Sequence, residues 1–180
     1  MKTFKIILAV IFFIVFNAQM NFAWGKKTLK ELVASAPIIV IGKVQDVNPK
    51  FEEYLGQKDF IFTYITLNIG TKLKGNLSQQ TIIIKVPGGQ IGDRVISGER
   101  SFRFTKNEEA LLFLERTDKN YYEIYSISGK LPIVKNNNNK LIDCSLLKDD
   151  EVAKYNYGSS EKAEDIIGRI NIYLSEKGGK

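Results

Sequence analysis

A short segment between residues 100 and 106 holds the side chains best suited to bind a ligand. It interleaves aromatic and cationic residues, namely Arg100, Phe102, Arg103, Phe104 and Lys106. Aromatic rings can stack on bases or sugar rings, and cationic groups can neutralise phosphates. Period-two alternation supports a competing interpretation, in which Phe102 and Phe104 turn inward and Arg103 turns outward. The sequence therefore predicts a candidate ligand face here, with a segment at the edge of a barrel as the alternative.

The chain contains no histidine, so it lacks the usual general base near neutral pH and the commonest transition-metal ligand. Ser-His-Asp and Cys-His triads are thereby excluded. Cys144 is the only cysteine, so neither an intramolecular disulfide nor a multi-thiolate zinc site can form. The sequence predicts no catalytic residue, no metal site and no cofactor. It predicts that Cys144 is a small buried hydrophobe, with an unpaired thiol free for pairing between chains as the alternative.

Carboxylates are the acid–base groups that remain for hydrolysis. The acidic runs are 108–109 on a turn, 149–151 on a loop and 164–165 at a helix start. A glycosidase needs two carboxylates that face each other across a cleft, whereas neighbours in a run are not placed in that way. The acids at 149–151 could offer oxygen ligands to calcium, but they lack the Asp-x-Asp-x-Asp-Gly spacing of a calcium loop. Exposed acids therefore remain the simpler interpretation, and a carboxylate-dependent glycan hydrolase stays open as an alternative.

The N-terminus has the pattern of a secretory signal peptide. Lys2 and Lys5 precede an unbroken apolar run at 6–16, which gives way to a polar region with small residues ending at Ala23. The apolar run is shorter than the roughly 20 residues that span a bilayer. We therefore expect cleavage after Ala23 and export to the periplasm or the medium, with an uncleaved anchor as the alternative. Removal of the two lysines lowers the formal net charge from +6 to +4.

The mature chain opens with a helix and then turns to strands. Thr28 and Glu31 have the spacing of a capping box, and Pro37 limits the helix to about Ser35. A β-branched strand follows at 38–47, and Asn48-Pro49 predicts a break with a polar loop to about Asp59. The next strand, 60–73, alternates well. Later strands are predicted at 81–86, 95–96, 110–114, 121–128, 131–134 and 141–144.

The last element is an amphipathic helix with Ser160 as its N-cap and an apolar stripe from Ala163 to Leu174. Short strands with turn signals between them, and a helix at each end, predict a mainly β fold, a small β-barrel or sandwich with flanking helices. The predicted organisation is a signal peptide at 1–23, a barrel domain at 24–145 and a C-terminal helical extension at 146–180 that packs on the barrel.

Five blocks of the sequence stand out together: 36–44, 63–69, 72–75, 86–93 and 107–114. Their order resembles that in a group of exported bacterial proteins of uncharacterised function and, more distantly, that in the OB-fold of tissue inhibitors of metalloproteinases and netrin-like domains. The resemblance covers roughly 29–130 and implies a small OB-like β-barrel. Those inhibitors grip the protease zinc through an N-terminal cysteine locked by disulfides, whereas this chain has Trp24 near its predicted mature start and only Cys144. The inhibitory mechanism is therefore not carried over.

These patterns predict an exported, non-enzymatic binding or scaffolding protein. The alternatives are an inhibitor of an extracellular protease acting through barrel loops, and the carboxylate-dependent hydrolase. The mildly basic charge favours an unknown protein or an anionic glycan as partner, and export argues against nucleic acid. A membrane would be contacted only through the signal segment, if it is not cleaved.

Expression of the full chain in a bacterial host should yield an exported protein that begins at Trp24, because small residues precede the predicted cleavage bond. N-terminal sequencing and intact mass of the exported fraction measure this. Retention of residues 1–23 in a cytosolic protein would contradict the prediction.

Overall fold

The structure is a computed structural model that describes residues 25–98, 101–118, 120–137, 139–148 and 160–178. The predicted signal segment, Arg100 and the acidic run 149–151 lie outside the described residues. The elements are α1 (Leu29–Ser35), β1 (Ile38–Tyr54), β2 (Gln57–Lys74), β3 (Thr81–Pro87), β4 (Gly89–Ile91), β5 (Arg94–Ile96), β6 (Glu109–Arg116), β7 (Tyr121–Ile124), β8 (Lys130–Asn136), β9 (Asn139–Asp143), β10 (Ser160–Lys162) and α2 (Ala163–Gly178).

Five strands form a closed ring in the order β1-β2-β3-β7-β6, and β6 pairs back onto β1. The closing pair is antiparallel and runs from Ile38 opposite Leu114 to Lys43 opposite Glu109. β3 and β7 are parallel, and the other neighbours in the ring are antiparallel. β8, β9 and β10 extend the sheet beyond β6, while β4 and β5 form a separate pair. The mainly β fold with a small barrel and flanking helices is therefore confirmed.

The strand β6 is buried on both faces. Ala110, Leu112 and Leu114 lie in the core inside the ring, whereas Leu111 and Phe113 lie in a second core under the helices. Because successive side chains of a strand point to opposite faces, a strand between two cores must be apolar at every position. This explains the continuous apolar run at 110–114, which the sequence assigned to a central strand.

The helices cover the second core. Leu29 and Leu32 of α1 pack there with Ile166 and Ile170 of α2. The predicted capping box is confirmed: the Thr28 hydroxyl accepts from the Glu31 amide at 3.1 Å, and the Glu31 carboxylate accepts from the Thr28 amide at 2.8 Å. That backbone hydrogen bond from Thr28 lowers the pKa of Glu31. The start predicted for α2 is wrong, because Ser160 belongs to β10 and the helix begins at Ala163.

Cys144 lies in the second core and is buried. Burial raises the pKa of its thiol to about 12, with a smaller contribution from the nearby Glu161. Since the thiolate is the reactive form, the folded protein keeps this cysteine inert near neutral pH. Its placement agrees with the small buried hydrophobe expected from the sequence.

The polar loop predicted at 48–59 is wrong. β1 and β2 instead continue as a two-stranded arm, defined here as residues 47–64, with Leu55 and Gly56 at its tip. Both tip residues have positive φ, 50° and 79°, as the tight hairpin turn of type I′ requires. Pro49 is tolerated because β1 pairs with β6 only as far as Lys43, so its missing N–H faces no strand on that side.

The strand predicted at 121–128 is also too long, since β7 ends at Ile124. The Tyr125 amide donates to the Phe113 carbonyl, and the Phe113 amide donates to the Gly129 carbonyl. Residues 125–129 thus bulge out opposite Phe113, and β8 then pairs with β6 in place of β7. Within the described part of the chain, no helix combines the length and apolar character needed to cross a membrane.

Close approach of β1 to β2 inside the ring requires Gly42. A Cβ there would lie 2.7 Å from the Leu67 side chain and 2.9 Å from the Asn68 carbonyl oxygen, whereas a Cβ at Gly70 would meet only Ile41 O at 3.6 Å. We expect Gly42→Ala to lower the free energy of unfolding by about 2 kcal/mol. Gly70→Ala, the matched control, should change it by less than about 0.5 kcal/mol. Urea denaturation measures both, and equal effects would contradict the packing described.

Candidate functional site

The predicted ligand face divides between core and surface. Phe104 is buried in the barrel core, and Phe102 is half-buried against the same core. Arg103 and Lys106 are exposed, and Arg100 lies outside the described residues. This placement agrees with the competing interpretation, in which the two rings turn inward and Arg103 turns outward. Ligand binding by the segment as a whole stays a prediction.

Lys130, which the sequence did not single out, fixes this segment. Its ammonium lies 2.6 Å from the Glu108 carboxylate and 4.2 Å from the centre of the Phe104 ring. It also donates to the main-chain carbonyl of Arg103. A buried ammonium is stable only when it is paired and hydrogen-bonded, and these contacts satisfy it. Phe104 is therefore held as part of the barrel interior and is not available for stacking on a ligand.

A concave site among the described residues lies where β3 and β7 separate. Over the residues that the structure describes, these strands pair through Ile83–Tyr121 and Ile84–Tyr122 alone. Beyond those pairs lies a cavity of about 510 Å³, lined from one side by residues 52–54 of the arm and from the other by Thr117 and Asp118 of the β6–β7 loop. We call it the cleft. The rest of its lining is Phe62, residues 85–87, Phe102, Tyr121, Glu123 and Ile124. Phe102 is the one described residue of the predicted ligand face that lines it.

A hydrogen-bonded group of three side chains lies beside the cleft. The Lys85 ammonium donates to a Glu52 carboxylate oxygen at 2.7 Å, and the Tyr64 hydroxyl donates to the other oxygen of Glu52. The ammonium lies 4.1 Å from the centre of the Phe62 ring, with the rings of Tyr64 and Tyr121 at 5.3 and 5.9 Å. Lys85 is thus a cation surrounded by three aromatic rings and paired with one carboxylate.

These contacts keep all three groups in their ordinary protonation states. Burial opposes charge on Lys85, but hydrogen bonds to Glu52 and Tyr64 outweigh it and raise the pKa of Lys85. Burial likewise opposes charge on Glu52, and hydrogen bonds from Lys85 and Tyr64 outweigh it and lower the pKa of Glu52. Burial, together with the bond to Glu52, raises the pKa of Tyr64. The arrangement suits fixed charges and not proton transfer at neutral pH.

The arm is stiffened on the same face by an aromatic cluster. Tyr54, Phe60 and Phe62 have ring centres 5.0–5.4 Å apart. Such tilted and edge-on contacts add to the energy gained from burial. Tyr54 nevertheless keeps 45% of its surface exposed, and Leu55 at the tip keeps 89%. The arm therefore presents an aromatic wall to the cleft and an apolar tip to solvent.

Acidic residues are frequent in the described lining of the cleft, which includes Glu52, Glu53, Asp118 and Glu123 beside one cation, Lys85. Glu53 follows Glu52 in β1, so its side chain points to the opposite face of the arm. Asp118 also shapes the β6–β7 loop, because its carboxylate accepts from the amides of Asn120 at 2.6 Å and Tyr121 at 2.9 Å. The hydrogen-bonded group of Glu52, Tyr64 and Lys85 was not predicted from the sequence. Aromatic residues on the polar face of a strand, such as Phe62 and Tyr64, are the signal that could have indicated it.

Neither a protein-family model nor a curated protein sequence matches this chain. Within the described ranges, no group of three or more His, Cys, Asp or Glu side chains could hold a metal ion. A functional assignment therefore depends on the geometry and charge of the cleft.

The pair formed by Glu52 and Lys85 should couple the arm to β3. We expect Glu52→Gln and Lys85→Met each to lower the free energy of unfolding at pH 7 by about 1–3 kcal/mol, because each leaves a charged or polar partner unsatisfied. The double variant should lose less than the sum. Urea denaturation of the four proteins measures the coupling, and strict additivity would contradict it.

The same pair predicts a pH dependence. A carboxyl group whose pKa is lowered by folding stabilises the fold above its unfolded pKa, and that stabilisation is lost as the pH falls through the folded pKa. The stability difference between the native protein and Glu52→Gln should therefore shrink as the pH is lowered from 7 to 3. A difference that stays constant over this range would show that Glu52 does not act through its charge.

Proposed function

We propose that this protein is an exported, non-enzymatic binding protein that takes its ligand in the cleft. The observation that carries the proposal is the cavity of about 510 Å³ between the arm and the β6–β7 loop. Ligand sites are commonly concave, with volumes of about 300–1,000 Å³ and a few polar groups among apolar walls. OB-type barrels bind oligomers on the face of their second and third strands, between the adjoining loops. The cleft occupies the corresponding place here.

Binding is favoured over catalysis by the protonation states beside the cleft. A general acid or base works best when its pKa lies near the working pH. The hydrogen bonds among Glu52, Lys85 and Tyr64 move each pKa away from neutrality. A glycosidase would also need a carboxyl group that stays protonated to donate to the leaving oxygen, and Glu52 is held ionised.

Export is supported by the N-terminal pattern of two lysines, an apolar run and a small-residue region ending at Ala23. The proposal therefore places the cleft in the periplasm or outside the cell. The alternative function is inhibition of an extracellular protease through the barrel loops. Inhibition assays against secreted metalloproteases test it.

Nuclear magnetic resonance of the mature chain tests the proposal with a probe panel of neutral oligosaccharides, blocked peptides of basic, acidic and neutral composition, and simple amines and carboxylates. At least one class should shift the amide resonances of residues 85–87 and 121–124. Tyr54→Ala, which removes the exposed ring from the wall of the cleft, should weaken that binding about tenfold or more. Phe51→Ala, the matched control, removes a ring of similar exposure from the opposite face of the arm and should leave binding within about twofold.

Two results would overturn the proposal. In the first, no probe shifts the cleft resonances, or the shifts fall only on residues 103–106. In the second, the protein hydrolyses a chromogenic glycoside and Glu52→Gln abolishes that hydrolysis, which would make the cleft catalytic.

A further inference from the structure

The charged side chains that face the cleft are engaged within the protein. Glu52 is bound to Lys85 at 2.7 Å and accepts from the Tyr64 hydroxyl. Asp118 accepts from two main-chain amides of its own loop at 2.6 and 2.9 Å, and Glu123 also interacts within the chain. A charged ligand group would have to displace such partners, which costs the charge-assisted hydrogen bonds already formed. The described side chains therefore favour a ligand without net charge.

The aromatic wall supplies a surface that is open to a ligand. The Tyr54 ring lines the cleft and keeps 45% of its surface exposed. Its ring centre lies 5.1 Å from that of Phe60 and 5.4 Å from that of Phe62, and these contacts fix its position. Phe62 and Tyr121 continue the lining. A fixed ring of this kind is a flat apolar platform on which another ring-shaped group can stack.

Carboxylates among these rings can still accept hydrogen bonds. An ionised carboxylate has about four lone-pair sites, and the contacts described above use two on Glu52 and two on Asp118. A purely apolar ligand would cover these acceptors without donating to them, which costs free energy. A polyproline segment has the same defect, because its backbone has carbonyl acceptors and no N–H donors. Hydroxyl groups donate hydrogen bonds without carrying charge.

From the engaged charges, the aromatic wall and the remaining acceptor sites together, we infer that the ligand of the cleft is a neutral oligosaccharide. This inference rests on the proposed function and specifies its ligand. A sugar ring has an apolar C–H face that stacks on Tyr54 and hydroxyls that donate to Glu52 on the arm and Asp118 on the β6–β7 loop. At about 510 Å³ the cavity exceeds the volume of one sugar ring, so its source is a glycan chain and not a free monosaccharide.

Titration of the isotope-labelled mature chain with tetrasaccharides of equal length and different charge tests the inference. The neutral probes are cellotetraose, mannotetraose and chitotetraose. At pH 6 the glucosamine tetramer is the cationic probe and the galacturonate tetramer is the anionic probe. At least one neutral probe should shift residues 85–86 and 121–124 with a Kd at least about tenfold below that of either charged probe. Raising the salt from 0.05 to 0.5 M should change that Kd by less than about twofold, because the contact is not ionic.

Variants of the arm test the stacking contact. Tyr54→Leu keeps an apolar side chain but removes the flat ring, and it should weaken the neutral tetrasaccharide about tenfold. Tyr54→Phe keeps the ring and should bind at least about fivefold more tightly than Tyr54→Leu. Phe51→Leu makes the same exchange on the opposite face of the arm and should leave the Kd within about twofold. Circular dichroism checks that all variants fold.

The outcomes separate the inference from the function on which it rests. A charged tetrasaccharide or a blocked proline hexapeptide that binds the cleft as tightly as the neutral probes overturns the inference and leaves the proposed function standing. Cleft shifts with another probe class alone, or equal binding by Tyr54→Leu and Tyr54→Phe, also overturn it. A monosaccharide that binds as tightly as the tetrasaccharide overturns the glycan-chain source. Absence of cleft shifts with every probe, peptides, amines and carboxylates included, overturns both.

Discussion

The pairing of β1 with β6 is the constraint on which the rest of the structure depends. It closes the ring, and both strands are buried on both faces where they pair. Val40 and Leu112 face the barrel interior, whereas Ile39 and Phe113 face the helices. One strand pair thus separates two cores and belongs to both. Closure also pairs the edge that residues 38–43 of β1 would otherwise expose.

One edge of β6 pairs with β1, and the other is divided between β7 and β8; the cleft results from this division. β7 occupies the end of β6 from Leu114 to Arg116, and β8 occupies the end from Glu109 to Leu112. A strand restricted to so short a stretch can pair only briefly with β3, so the two strands separate and leave a concave surface. Phe104, fixed by Lys130, fills the barrel interior. The gap therefore opens outward, between the arm and the β6–β7 loop.

Electrostatics and hydrogen bonding give this surface its character. Glu52, Tyr64 and Lys85 come from three adjacent strands and satisfy one another, so charged groups can lie half-buried among aromatic rings. Each of the three groups keeps its ordinary protonation state at neutral pH, which suits binding and not proton transfer.

The sequence by itself determined those features that depend on neighbours along the chain. The capping box at Thr28, the central position of β6 and the mainly β class all follow from local spacing and from period-two or period-3.6 patterns. Only the tertiary structure decided that residues 48–59 belong to the arm. Most of these residues are polar, and Pro49 indicates the end of a strand unless it is known that this part of β1 has a free edge. It also brought Glu52, Lys85 and Tyr121 to one cleft. Alternation tells which face of a strand a side chain occupies, but strand pairing, which is non-local, selects the residues beside it.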